Sequence, residues 1–268
     1  MSRPDYIPRE HREDIEDFFT NPDHWAYKYG NPTPDCNPDV PYHRKQIEVI
    51  FEDNYKYTHY RTNNRINELI DEGFLRLIET DTANFIIRSD VRYYKANVKK
   101  RIRLIKRYSY PHTVRGVGKW GEYLSEIMFI LNNFEIVGRN TNEYRGKKWV
   151  KTNENLDFIL ERDGVSYGVE VKNTLRYIEY DEFTNKLEMC IFLGLVPMWV
   201  LRIAPEVQFN VMKANDGMIL AFKSQIYPFG QEGLTRDMWN LMRLPVTVKA
   251  KMPAKTVRIM NAFHAGNI

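Results

Sequence analysis

The sequence predicts an α/β protein in two parts, a small α+β domain over residues 1–110 and a larger strand-and-helix domain over residues 111–268. Three observations predict it. Helix, helix, glycine and two short strands follow one another between His43 and Arg88. An apolar helix from about Trp120 to Leu131 leads into a strand at Phe134–Val137. Two apolar, alternating runs, Leu156–Leu160 and Val165–Lys172, flank Asp163-Gly164, and a further helix (Glu179–Leu193) and strand (Val196–Ile203) come after them.

Residues 1–42 are rich in proline, aspartate and aromatics. They predict an irregular arm with a short helix around Glu13–Phe19 and turns at Asn31-Pro32-Thr33-Pro34-Asp35. His43–Asp53 carries Ile47, Val49, Ile50 and Phe51 at helical spacing. Thr58 can cap a second helix that runs to about Glu72, with Ile66, Leu69 and Ile70 on one face, and Gly73 stops it. Phe74–Ile78 and Asn84–Arg88 are the two strands. This succession resembles a winged helix-turn-helix, a pattern also used by protein-contact modules. The resemblance makes the second helix the recognition helix and implies DNA contacts from Asn63, Asn64 and Arg65. From Arg88 to Lys119 there are eleven Lys or Arg and one acid, Asp90. The basic helix Val91–Arg107 would therefore lie along phosphates, with Lys99 and Arg103 among its contacts, unless it is only a solvated face. Tyr108–Val114, with Pro111 inside it, marks the domain boundary.

Composition narrows the function. Hydrophobic residues make up 43% and charged residues 28%, which suits a globular chain, and no apolar run approaches the ~20 residues of a membrane span. The polar N-terminus predicts no secretory signal. Cys36 and Cys190 lie far apart without a CxxC partner, which argues against a disulfide framework or cysteine zinc site and fits a reducing, cytoplasmic setting. Six scattered histidines form no HxxxH or HExxH, and no Walker-type loop is present. Gly116, Gly118 and Gly121 are instead expected to let the chain turn and a helix approach its neighbours.

Asp163-Gly164 is a two-residue hairpin signal. If Arg162 faces Val165, counting back along both strands sets Asp157 opposite Glu170. Opposed residues have Cβ atoms about 4.5–5.5 Å apart, where two carboxylates repel unless a cation lies between them. Alternation puts Glu170 and Lys172 on one face and Val171 on the other. Glu-x-Lys alone usually means an exposed ion-paired strand. Here Asp157 is opposed to it, both strands are otherwise apolar, and Glu122 lies on the preceding helix.

Glu122, Asp157 and Glu170-Val171-Lys172, in that order of helix, strand and strand, resemble the PD-(D/E)XK nuclease superfamily over roughly Gly116–Arg202. Restriction endonucleases, junction resolvases and repair nucleases belong to it. The resemblance implies a mixed central sheet flanked by helices and metal-dependent hydrolysis of phosphodiesters. It makes Asp157 and Glu170 ligands of Mg2+, with Mn2+ as a substitute, and the Val171 carbonyl a further ligand. Lys172 would attend the attacking water, and Glu122 would be an outer or second-metal ligand. The naming proline is missing, since Asn155-Leu156 precedes Asp157, and Glu126, one turn on, could replace Glu122. Arg145, Lys147 and Lys148 in the preceding loop are expected to touch DNA; Arg176, Tyr177 and Lys186 could touch phosphate or merely line a solvated helix face. Met218–Phe222 and the basic Lys249–Arg258 are expected to supply a last strand, a helix and a positive edge. The expected function is site-specific cleavage of double-stranded DNA, which a two-fold homodimer would complete on both strands. The alternatives are a Holliday-junction resolvase, a repair nuclease, or an inactive DNA-binding regulator on the same fold.

Overall fold

The computed structural model describes residues 9–21, 38–55 and 57–267. The turns expected at Asn31–Asp35, and Cys36, lie outside the described residues. The chain forms two compact units. The first contains α1 (Arg9–Thr20), β1 (Tyr42–His43), α2 (Arg44–Tyr55), α3 (His59–Asp71), β2 (Leu75–Ile78), β3 (Phe85–Arg88) and α4 (Lys95–Tyr108). Thr58 caps α3, its side chain accepting the Arg61 N–H at 3.3 Å, and Gly73 follows α3 at φ +79°. The strands form an antiparallel sheet in the order β1-β3-β2. The described part of the arm is more ordered than its composition suggests. Ile15, Phe18 and Phe19 recur at helical spacing on α1 and join Ile47, Phe51, Ile66, Leu69 and Ile86 in one buried cluster.

The second unit opens with α5 (Pro111–Leu131), which begins nine residues before the Trp120 start read from the apolar run. Proline is suited to the first turn of a helix, because its missing N–H has no partner there, so Pro111 starts the helix and the glycines lie inside it. Gly121 permits a close approach: a Cβ there would lie 2.6 Å from the Asn173 Cβ, whereas one at Gly116 or Gly118 would meet nothing within 4 Å. Gly121→Ala is therefore expected to destabilise the fold by about 1–3 kcal/mol through overpacking. Gly118→Ala should be neutral or stabilising by up to ~1 kcal/mol, since alanine favours helix. Urea midpoints of the two variants check the contrast.

After α5 come β4 (Glu135–Thr141), the short hairpin β5 (Glu143–Tyr144) and β6 (Lys147–Lys148), β7 (Leu156–Arg162), β8 (Val165–Lys172), α6 (Tyr180–Leu193), β9 (Val196–Leu201), α7 (Glu206–Ala214), β10 (Met218–Ala221) and β11 (Gln225–Tyr227). The central sheet runs β10-β9-β8-β7-β4; β8, β9 and β10 are parallel, β7 pairs antiparallel with β8, and β4 pairs antiparallel with β7. The sheet is mixed and flanked by helices, as expected. Leu124, Met128 and Phe129 of α5 pack on Phe158, Leu160, Val169, Val171, Met198 and Val200. Phe183 and Leu187 of α6 and Met212 of α7 pack on Trp199, Leu201 and Ile219.

The chain then returns to the first unit for residues 233–245, where the sequence pattern predicts that everything after 111 stays in the second domain. This segment holds most of α8 (Glu232–Met242), whose Leu234, Met238 and Met242 form a buried stripe at i, i+4 and i+8, and whose Asp237 pairs with Arg107 at 2.6 Å. Val246 onward belongs to the second unit again: β12 (Val246–Val248) pairs in parallel with β11, and α9 (Ala254–His264) adds Met260 to the core beneath the sheet. Among the described residues no helix is long and apolar enough to cross a membrane.

Candidate catalytic and metal site

The site forms where β7 and β8 part. Asp163 and Gly164 take φ values of +50° and +80°, as the tight hairpin turn requires, and the ladder runs from Arg162–Val165 to Phe158–Val169. The next step along that register sets Asp157 against Glu170. There the carboxylate takes over from the backbone: Asp157 Oδ2 accepts the Val171 N–H at 2.7 Å. Strand β8 lies between β7 and β9, and its middle, residues 167–171, is buried. Glu170 is 1% exposed.

Burial and opposed charge shape both acids. Desolvation raises the Asp157 carboxyl above its ordinary value, with Glu122 adding to the rise, while the Val171 N–H, Lys186 and Lys172 counter it. Glu122 is thus brought into electrostatic reach of Asp157. Glu126, one turn on, holds Arg139 at 2.6 Å. Glu170 is pushed up to about 7, first by burial and then by Asp157.

Two lysines face Glu170. Lys172 Nζ lies 2.9 Å from Glu170 Oε1 and 2.6 Å from Glu182 Oε1. Lys186 Nζ donates to Glu170 Oε2 and lies 3.5 Å from Glu182 Oε1. The four side chains form a closed ring of alternating charge. For Lys172 burial opposes the ammonium, but Glu170 and Glu182 outweigh it and raise its proton affinity, so it stands in the site as a cation. Glu182 is held below its ordinary value by Lys172 and Lys186 against the effect of its own burial.

Sequence reasoning missed Glu182 and misplaced Lys186, which is not a surface phosphate contact but a buried partner of Glu170. The signal was present: the two charges are one turn apart on α6 and interleave with Phe183 and Leu187, both buried. Asn173 was missed as well. Its Nδ2 donates to the Val117 and Ile226 carbonyls at 2.8 and 2.6 Å, and its Oδ1 accepts the Ile226 N–H at 2.8 Å. It ties α5 and β11 to the end of β8, directly after Lys172.

The residues expected to touch DNA have mixed placements. Lys99 and Arg103 are exposed on α4. Arg145, Lys147 and Lys148 are exposed on the β5–β6 hairpin, where Arg145 pairs with Glu161 at 3.0 Å and Lys147 donates to the Phe192 carbonyl at 3.3 Å. Asn63 is spent internally: it accepts from Arg44 Nε at 2.7 Å and donates to the buried Glu48 at 2.6 Å. Arg65 pairs with Glu68, and its side chain is 12% exposed. Asn63 thus joins α3 to α2, and Arg65 is paired within α3. Asn64 is half-buried.

The donor set fits a hard divalent cation. Asp157, Glu170, Glu182 and nearby Glu122 against Lys172 and Lys186 leave a formal excess of two negative charges. Glu170 Oε1 is buried and takes no well-directed hydrogen bond despite the neighbouring Lys172. Among the described residues no group of three or more His, Cys, Asp or Glu side chains is gathered closely enough to hold a metal by itself. Magnesium commonly uses one or two carboxylates and completes its shell with water, and Asp157 and Glu170 are the pair that would be offered to it.

The raised Glu170 also predicts a pH dependence. The folded chain holds the Glu170 proton between the ordinary value of 4.5 and about 7, and the unfolded chain does not. Stability of the metal-free protein therefore falls as pH rises through that window and stays lower above it. The loss attributable to this group is ~3 kcal/mol. Glu170→Gln should flatten that part of the curve, read from urea midpoints in EDTA at pH 5 and pH 8. No protein-family model, curated protein or solved structure matches the chain.

Proposed function

We propose that the protein is a magnesium-dependent endonuclease of double-stranded DNA, with a PD-(D/E)XK-like catalytic unit and a winged-helix-like DNA-binding unit. One observation carries the reading: one step past the last β7–β8 pair, Phe158–Val169, Asp157 acts on the buried Glu170, with Lys172 two residues on and Glu122 of α5 in electrostatic reach. The mixed sheet order and the α2–α3–β2–β3 succession are consistent with it.

Asp157 and Glu170 would hold the ion, with the Val171 carbonyl as a further oxygen and Glu122 acting through water. A divalent ion there supplies Lewis acidity toward a phosphate oxygen and toward water. Lys172 is the more open of the two lysines and is held between Glu170 and Glu182. Its part would be to donate to the phosphate oxygens and offset the charge that grows on them. Lys99, Arg103, Arg145, Lys147 and Lys148 would contact the backbone. With Asn63 and Arg65 occupied, base reading falls to other residues or requires these bonds to open.

Supercoiled plasmid incubated with the full chain should be nicked or linearised with Mg2+ or Mn2+ and left intact with EDTA. Sequencing the ends separates the finer readings: one recurrent motif marks a restriction-type enzyme, scattered ends a structure-directed or repair nuclease. No cleavage of plasmid or branched DNA under any metal would leave only the DNA-binding regulator.

A further inference from the structure

An aromatic patch stands on the surface of the second unit. Trp120 of α5 packs on the edge of the core, while Tyr123, one turn on, and Phe229, just past β11, remain 51% and 64% exposed. The rings are in contact. The Trp120 centroid lies 5.3 Å from that of Tyr123, with the planes 32° apart, and 6.2 Å from that of Phe229. Trp120 Nε1 donates to the Lys249 carbonyl at 3.1 Å, which fixes the indole in place. Resting on the nuclease reading above, we propose that this patch is a stacking platform for unpaired bases, so that the DNA cleaved is duplex adjoining a single-stranded segment.

Cations border the rings. Lys119 is one turn from Tyr123 on α5, and Lys249 follows β12; both are exposed, and among the described residues neither is held in a salt bridge. Lys249 also opens the basic segment that runs to Arg258. Aromatic faces beside free ammonium groups match the two halves of a nucleotide, a flat base and a phosphate. A partner that is only apolar would leave those ammonium groups unmatched. In a duplex the base faces are stacked inside and only the edges are open, so a ring can stack only on a base that has lost its partner. The fold also ties the platform to the catalytic strand. Asn173, directly after Lys172, bonds the Val117 carbonyl of α5 and both backbone groups of Ile226 in β11. Trp120 comes one turn after Val117, and Phe229 three residues after Ile226. Strands β11 and β12 run parallel and end together at Tyr227 and Val248, so Phe229 and Lys249 leave that sheet at the same end. Glu122, which acts on Asp157, falls between Trp120 and Tyr123. A base on the platform thus lies against the same stretch of α5 that serves the acids of the site.

The test is DNA binding by the full chain in EDTA, where metal-dependent cleavage cannot intervene. The probes are a blunt duplex and the same duplex with a single-stranded tail that carries 2-aminopurine next to the branch. Wild type should bind the tailed probe at least about tenfold more tightly than the blunt one and quench the 2-aminopurine, as a stacked base is quenched. Tyr123→Ala and Phe229→Ala, both at exposed positions that the core does not use, should weaken tailed binding by about 5–150-fold and erase the difference between the probes. Tyr123→Phe keeps the ring and should behave as wild type. Equal affinity of wild type for the two probes, an unquenched tail, or alanine variants that keep the tail preference would overturn the inference. Alanine variants that only dissociate a dimer of the chain would make the patch an oligomer contact and overturn it as well. The two readings fail separately. A tail preference that needs both rings, without cleavage under Mg2+ or Mn2+, keeps the platform and removes the nuclease. Cleavage of blunt and tailed duplexes alike, with no tail preference in binding, keeps the nuclease and removes the platform.

Discussion

Lys172→Ala should lower plasmid cleavage by about 10²–10³-fold or more, the usual loss when one preorganised donor to a developing anion is removed. Binding of duplex DNA should hardly change, because one ammonium is a small share of the phosphate contacts that set affinity. The prediction is sharper than the sequence alone allows. Lys172 is held by Glu170 and Glu182 at 2.9 and 2.6 Å, so its position and charge are both fixed by the fold. Lys172→Arg should recover little, since a planar fork cannot replace a compact ammonium inside this ring. Gel shifts and single-turnover cleavage on one duplex separate the two effects. If affinity and cleavage fell together in Lys172→Ala, the residue would be a binding contact and not part of the chemistry.

Excising the second unit should fail if the cut is made at residue 111. A fragment of residues 111–268 keeps residues 233–245, which belong with the first unit, and it would expose the Leu234–Met238–Met242 stripe of α8. Aggregation, or loss of a cooperative melt, is the expected result. Joining 232 to 246 through a short Gly-Ser linker should restore solubility and a cooperative transition. That trimmed unit should retain the β7–β8 site but bind DNA more weakly. It lacks the exposed Lys95, Lys99, Lys100, Arg103 and Lys106 of α4, and the salt slope should shrink by about 0.9 for every phosphate those cations neutralise. Equal affinity and equal salt dependence in the full and trimmed chains would show that the first unit serves protein contact rather than DNA.

What the sequence made legible was local. Asp163-Gly164 fixed a turn, and a side-chain period of two then carried the register back along both strands to Asp157. Thr58 and Gly73 bounded α3 for the same reason: a cap and a left-handed exit are written in single residues. What was not legible depended on which distant segments meet. The Lys172–Glu182 and Lys186–Glu170 pairs need α6 folded against β8, and α6 reaches that position through a seven-residue connection with no hairpin to count along. The assignment of Asn63 and Arg65 to DNA failed to foresee that Arg44, Glu48 and Glu68 would claim them. A polar residue on a helix face shows its chemistry in sequence, but not its partner. Pro111 misled in the opposite direction, since the residue that breaks helices from within also begins them well.

The return of residues 233–245 to the first unit sets an order of events during synthesis. A ribosome adds roughly 5–20 residues per second, so the stretch between residues 110 and 245 takes on the order of 10–30 s to emerge. Throughout that interval the N-terminal unit lacks α8 and the Arg107–Asp237 pair, while all five strands of the central sheet are made before α8 emerges. The first unit to be started is thus not the first that can be finished. A nascent chain halted before residue 233 would display an incomplete N-terminal unit, open to chaperones and proteases, and protease protection of residues 9–110 on stalled ribosomes should appear only once α8 has cleared the exit tunnel.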